Sequence, residues 1–163
     1  MTESPANPLL EAFFRDGSLR NVDVEGTRTQ FEELAKRLAA TGWALSMDSA
    51  PLHAKTLPAW FPRDDTSFRI SATRSGCVLN LWSWDPAADK GFFSEVDLAP
   101  REVDKHNIIF VEEALMTLAN VVGRPMHLTL EGMPKAVFAT AHPGGNVVVD
   151  LEMCTAWKRP LGR

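Results

Sequence analysis

The chain has 163 residues, 45% hydrophobic and 23% charged, with 17 Lys+Arg against 21 Asp+Glu and a formal net charge of −4. That balance excludes intrinsic disorder, a collagen-like repeat or a coiled coil as a description of the whole, and the length fits one domain with a core of its own. The absence of a basic excess speaks against a nucleic-acid partner, which clustered Lys and Arg would announce.

Met1 to Pro8 carries neither a basic stretch nor an apolar run, so no secretory signal is expected. The most apolar segment, 108–122, contains Glu112, Glu113 and Asn120. It is shorter than the ~20 residues a membrane span takes. A cytoplasmic location without a membrane partner follows as the expectation. The two cysteines, Cys77 and Cys154, then read as buried, reduced thiols rather than a long-range disulfide.

Within 1–17, Leu9, Leu10, Phe13 and Phe14 suit a short amphipathic helix, broken by Gly17 and Ser18. Leu19 to Val24 alternates in part and reads as a strand. Thr29 with Glu32 has the spacing of a capping box, and Phe31, Leu34, Ala35, Leu38 and Ala39 form one helical stripe that stops at Gly42. Trp43 to Met47 predicts a second strand. From Asp48 to Asp65, Pro51, Pro58 and Pro62 interrupt any period, and a long loop is expected.

Two runs, 68–73 and 77–84, flank Ser75-Gly76 and predict a β-hairpin. A polar turn covers 85–91, and Phe92 to Leu98 predicts another strand, ended by Pro100. The clearest element is a helix over 108–122, capped by Asn107 or Asp104 and closed by Gly123. Strands follow over 126–131, 136–140 and 146–152, the last two joined by His142-Pro143-Gly144-Gly145, with 153–163 as a tail. Runs of strands with few helices imply a single α+β domain, a mixed and mostly antiparallel sheet covered by two main helices.

Motifs of known chemistry do not emerge. His53, His106, His127 and His142 include no pair at i, i+4 spacing, and neither cysteine has a second ligand near it, so no metal is expected. Gly144-Gly145 lacks the Lys-Ser/Thr of a phosphate loop, and Ser49, Ser75 and Ser83 lie in no nucleophile motif, so neither cofactor nor catalytic residue is assigned. Glu95 and Asp97 alternate with Val96 and share a strand face, which suits acid/base work or a solvated surface.

The aromatic residues say more. Five Trp and nine Phe stand against no Tyr, and Trp43, Trp60, Trp82 and Trp84 fall between positions 43 and 84. Trp82 and Trp84 are two apart on a strand and share a face. Asp64, Asp65, Asp85 and Asp89 accompany them, with Glu95 and Asp97 not far beyond. Buried rings in the core would account for this pattern. So would a partner-binding surface of Trp60, Phe61, Asp64, Asp65, Trp82, Trp84, Asp85 and Asp89, complementary to a basic protein.

Leu-Arg-Asn-Val-Asp-Val-Glu-Gly-Thr over 19–27 ahead of a short helix resembles the opening of small bacterial immunity proteins that accompany polymorphic or contact-delivered toxins. Glu95-Val-Asp-Leu-Ala-Pro-Arg-Glu-Val, a helix, and Gly123-Arg-Pro-Met-His-Leu-Thr-Leu-Glu131 are similar to their second half. The resemblance implies a non-enzymatic protein that binds a cognate toxin and occludes it. It transfers no functional residue, because such families keep a scaffold and vary the contact surface. The alternative reading is a small-ligand binding domain or small enzyme with a pocket lined by the tryptophans.

Overall fold

The computed structural model describes residues 5–61, 66–88 and 90–158, with Pro58 and Trp60 as backbone only. The first long elements are β1 (Arg20–Gly26), α1 (Arg28–Ala40), β2 (Ala44–Met47), β3 (Ala50–Pro51) and the single-turn α2 (Leu57–Trp60). Next come β4 (Phe68–Arg74), β5 (Cys77–Ser83), β6 (Phe93–Leu98) and α3 (Ile108–Val122). The chain finishes with β7 (Met126–Leu130), β8 (Met133–Ala141), β9 (Val147–Val149) and α4 (Leu151–Lys158). The strands form one sheet in the order β3-β2-β4-β5-β6-β1-β7-β8-β9. Every described pairing is antiparallel, so the fold is α+β as expected but the sheet is not mixed.

Local sequence explains the main elements. Ser75 and Gly76 both take positive φ (49° and 80°), the geometry whose twist suits a two-residue hairpin, and they fix β4 against β5. Thr27, not Thr29, caps α1. Its hydroxyl accepts from Gln30 N while the Gln30 side chain accepts from Thr27 N, a reciprocal capping box. Gly123 ends α3 at φ 77°, where a side chain would be strained. At the start of α3, Asn107 is buried, and its amide donates to the Ser75 and Glu102 carbonyls.

The helices α1 and α3 lie side by side on one face of the sheet. Phe31, Leu34 and Leu38 of α1 and Val111, Leu115 and Leu118 of α3 are all buried there, as their spacing predicts. Leu34, Leu38, Ala114, Leu115 and Leu118 meet Leu79, Leu81 and Val96 of β5 and β6 across a gap of only about 10 Å³. Phe31 centres an aromatic cluster with Phe61, Phe68, Phe92 and Phe93 at ring separations of 5.1 to 5.8 Å.

Two segments differ from expectation. Residues 48–61 form β3, a 3-10 turn at Ala54–Thr56 and α2, with Leu52, Leu57 and Phe61 buried, because these side chains find the α1 side of the core. The run over 146–152 breaks at Asp150, whose carboxylate accepts from Met153 N and opens α4 where a tail was expected. Cys154 of α4 is buried beside Phe138.

The N-terminal segment is a 3-10 turn over Pro8–Phe13, capped by Asn7, whose amide also donates to Glu112 of α3. Arg20 of β1 holds this segment down. The side chain is fully buried, donates to the Ala12 and Phe14 carbonyls at 2.7 and 2.8 Å, and pairs with Asp16 at 3.2 Å. Its guanidinium also lies over the Phe14 and Phe138 rings. No described helix is long and apolar enough to cross a membrane.

Candidate functional site

Among the described residues no helix lies on the second face of the sheet, and the strands alternate accordingly. On β5, Cys77, Leu79, Leu81 and Ser83 are buried under the helices, while Val78, Asn80 and Trp82 point the other way and are half-buried. The register sets Arg69, Ser71 and Thr73 of β4 across from Trp82, Asn80 and Val78. On the other side Glu95 and Asp97 of β6 face Trp82 and Asn80. Beyond them, Asp23 and Asn21 of β1 lie opposite Glu95 and Asp97. The open face thus carries a central acidic strip beside two tryptophans.

Trp82 and Trp84 stack, with ring centroids 4.3 Å apart and planes within 9°. Trp82 Nε1 donates to Asp97 Oδ2 at 2.6 Å, Asn80 Nδ2 donates to Asp97 Oδ1 at 2.8 Å, and Ser71 Oγ donates to Asn80 Oδ1 at 2.8 Å. Asp97 is only 5% exposed and is satisfied by these neutral donors. Trp84 donates its backbone N–H to Ser94 Oγ at 2.9 Å, and Glu95 follows on β6, across from Trp82. Trp84 is nonetheless 50% exposed. The Arg69 guanidinium lies over the Trp82 ring, 5.3 Å from its centroid.

Electrostatics sharpen this arrangement. Burial pushes the Glu95 carboxyl above its usual range, Asp97, Asp23 and Glu131 push it the same way, and the Trp84 hydrogen bond opposes them. Like charges stand opposite each other at Asp23 and Glu95. Among the described residues neither Glu95 nor Asp97 forms an ion pair. Asn21, across from Asp97, leaves its Oδ1 buried without a hydrogen-bond partner among the described residues. Farther along the face, β1 pairs with β7 only at Arg20 and Asn21, and a groove of about 360 Å³ follows, lined by Asp23, Glu25, Arg124, His127 and Thr129. Arg124 bridges it by donating to the Val24 carbonyl.

The comparisons with known proteins add no relative. No family model matches the chain, and no curated protein or solved structure is significantly similar to it.

The residues singled out by sequence divide sharply. Trp82 and Trp84 come together as expected, and Asp85 is exposed in the turn beside them. Phe61 is 8% exposed and packs on Phe31, so it belongs to the core and not to a surface. Trp60 closes α2 and is described for its backbone alone, and Asp64, Asp65 and Asp89 lie outside the described residues. Sequence reasoning missed Arg69, Asn80, Asn21 and Asp23, which join the site only through cross-strand register.

Among the described residues no group of three or more His, Cys, Asp or Glu could hold a metal ion. Burial pushes the Cys77 thiol up to about 12, helped by Glu102 and Asp104, which keeps it from forming a thiolate nucleophile near neutral pH. Two indoles in van der Waals contact leave no slot between them for a ligand ring. The site is a surface, not a clamp.

Proposed function

We propose that the chain is a non-enzymatic binding protein whose open sheet face docks a single protein partner with a basic surface. The observation that carries this reading is the stacked Trp82–Trp84 pair, half exposed at its outer end and set against carboxylates that form no ion pair among the described residues. Anchored aromatic rings lose little conformational freedom on binding, and Trp is enriched at interface hot spots. A strip bearing Asp23, Glu95 and Asp97 would attract a cationic partner and slow its escape. Uncompensated like charge on the free protein would be relieved in the complex.

The immunity-protein resemblance makes a toxin the partner of choice, neutralised by occlusion of its active site or substrate path. Co-expression tests this directly. The product of the reading frame next to the gene should arrest growth alone and be harmless with the wild-type chain, and the Trp84→Ala, Glu95→Lys double variant should fail to protect although it folds. Protection by that variant equal to wild type would move the docking surface elsewhere. A pocket reading gains ground only if a small molecule co-purifies with the chain while no protein does.

A further inference from the structure

Among the described residues, a cation lies over the Trp82 ring of the stack but not over the Trp84 ring. Trp84 stacks on Trp82, and the Arg69 guanidinium lies over Trp82 as well. The Trp84 ring has no such partner among the described residues, although it is stacked on Trp82 and its backbone is tied to Ser94, and it is 50% exposed. At the inner end, then, the chain itself shows what suits this pair of rings: a guanidinium lying over an indole. At the outer end no described residue covers the same kind of surface, and the carboxylate of Glu95 on the same face has no ion-pair partner among the described residues.

We propose that Trp84 and Glu95 form the seat for an arginine side chain presented by the basic protein partner, a proposal that rests on the docking reading above. The planar guanidinium would lie on the outer face of Trp84 and complete the series Arg69, Trp82, Trp84, arginine. Its N–H edge would reach the Glu95 carboxylate beside the ring. Lysine fits this seat less well, because its ammonium is compact and strongly hydrated and cannot stack while donating sideways. Charge complementarity selects the occupant: Asp23 and Asp97 flank Glu95 along the open face, and Arg69, the neighbouring cation on β4, is already spent on Trp82. Asp97 contributes as a positioning residue, since it fixes Trp82 and through it the stack.

The test uses the full chain labelled with nitrogen-15 and two acetylated, amidated pentapeptides, Gly-Arg-Gly-Arg-Gly and Gly-Lys-Gly-Lys-Gly, at low salt. The arginine peptide should shift the Trp82 and Trp84 indole N–H signals saturably and bind roughly two- to fivefold tighter than the lysine peptide. Trp84→Ala should abolish that discrimination with the remaining amide spectrum unchanged, and Glu95→Gln should weaken both peptides. Equal binding of the two peptides at the open face overturns the arginine seat and leaves acidic docking standing. Absence of any indole shift also overturns the seat, whereas the docking reading falls only if charge reversal on this face leaves partner capture intact. Indole signals that shift on dilution without peptide would assign the face to a second copy of the chain and overturn the proposal.

Discussion

Asp97 accepts the indole N–H of Trp82 at 2.6 Å, and this contact links the packing of the open face to its charge. The carboxylate sits on β6, the indole on β5, and the Cα register that brings them together is the same one that sets Asp97 across from Asn80. Replacing Asp97 with Ala strands two half-buried donors, Trp82 Nε1 and Asn80 Nδ2. Such a loss should cost about 1–3 kcal/mol in a urea titration, and Asp97→Asn, which keeps one acceptor, should cost less. A change within error for Asp97→Ala would mean that the network contributes nothing to the fold.

Glu95 gives the pH dependence. Its carboxyl is raised above the ordinary range by burial and by Asp97, Asp23 and Glu131, so the folded state holds this proton more tightly than the unfolded state. The charged form is therefore the less stable one in the fold. The stabilisation from protonating Glu95 is complete below the ordinary Glu value, about 4.3, and is lost as pH rises through the raised value. Glu95→Gln should melt higher than wild type at pH 7, and the gap should close as pH falls toward 4. A gap that is constant with pH would contradict the raised Glu95 carboxyl.

Arg20 predicts a local effect. Its buried guanidinium ties the Ala12 and Phe14 carbonyls and Asp16 to β1. Arg20→Ala should release residues 8–19 to rapid hydrogen exchange and destabilise the protein by about 1–3 kcal/mol, since it strips the Ala12 and Phe14 carbonyls of their donor. Protection of that segment unchanged in the variant would contradict the assignment.

Leu115 tests the layer arrangement. It is 3% exposed and meets both α1 and the sheet, so Leu115→Ala should cost roughly 2–5 kcal/mol. A loss under about 0.5 kcal/mol would place α3 at the periphery.

Cysteine chemistry provides a further check. Both thiols are free and buried, and the Cys77 thiol is pushed up to about 12 by burial and nearby carboxylates. Iodoacetamide at pH 8 should label neither in the folded protein and both after unfolding without reductant. A mass two units short after unfolding would reveal a disulfide.

Much of this fold was legible because its signals are local. The stripes from Phe31 to Leu38 and from Val111 to Leu118, the Ser75-Gly76 turn and the Gly123 stop each lie within a few residues of what they specify. Two local signals were overridden. Thr27 with Gln30 made the capping box in place of Thr29 with Glu32, and the valines of β9 hid the helix start at Asp150. The site was legible only in part. Trp82 and Trp84 share a face by strand parity, but Asp97, Asn80, Asp23 and Arg69 reach them through pairings among β4, β5, β6 and β1, which one-dimensional periodicity does not encode. Phe61 fails as a surface residue for the same reason. Its surroundings are set by Phe31 and Phe92, from elements distant in sequence.

The central claim is that the acidic, aromatic face of the sheet is the docking surface. Affinity capture from the native host with the immobilised wild-type chain, the Asp23→Lys, Glu95→Lys double variant and a control reversed on the helix side at Glu33→Lys, Glu113→Lys tests it most directly. The account predicts one basic protein retained by wild type and by the control, eluted by raised salt, and lost from the open-face variant while circular dichroism shows that variant folded. Equal retention by wild type and the open-face variant would contradict the account.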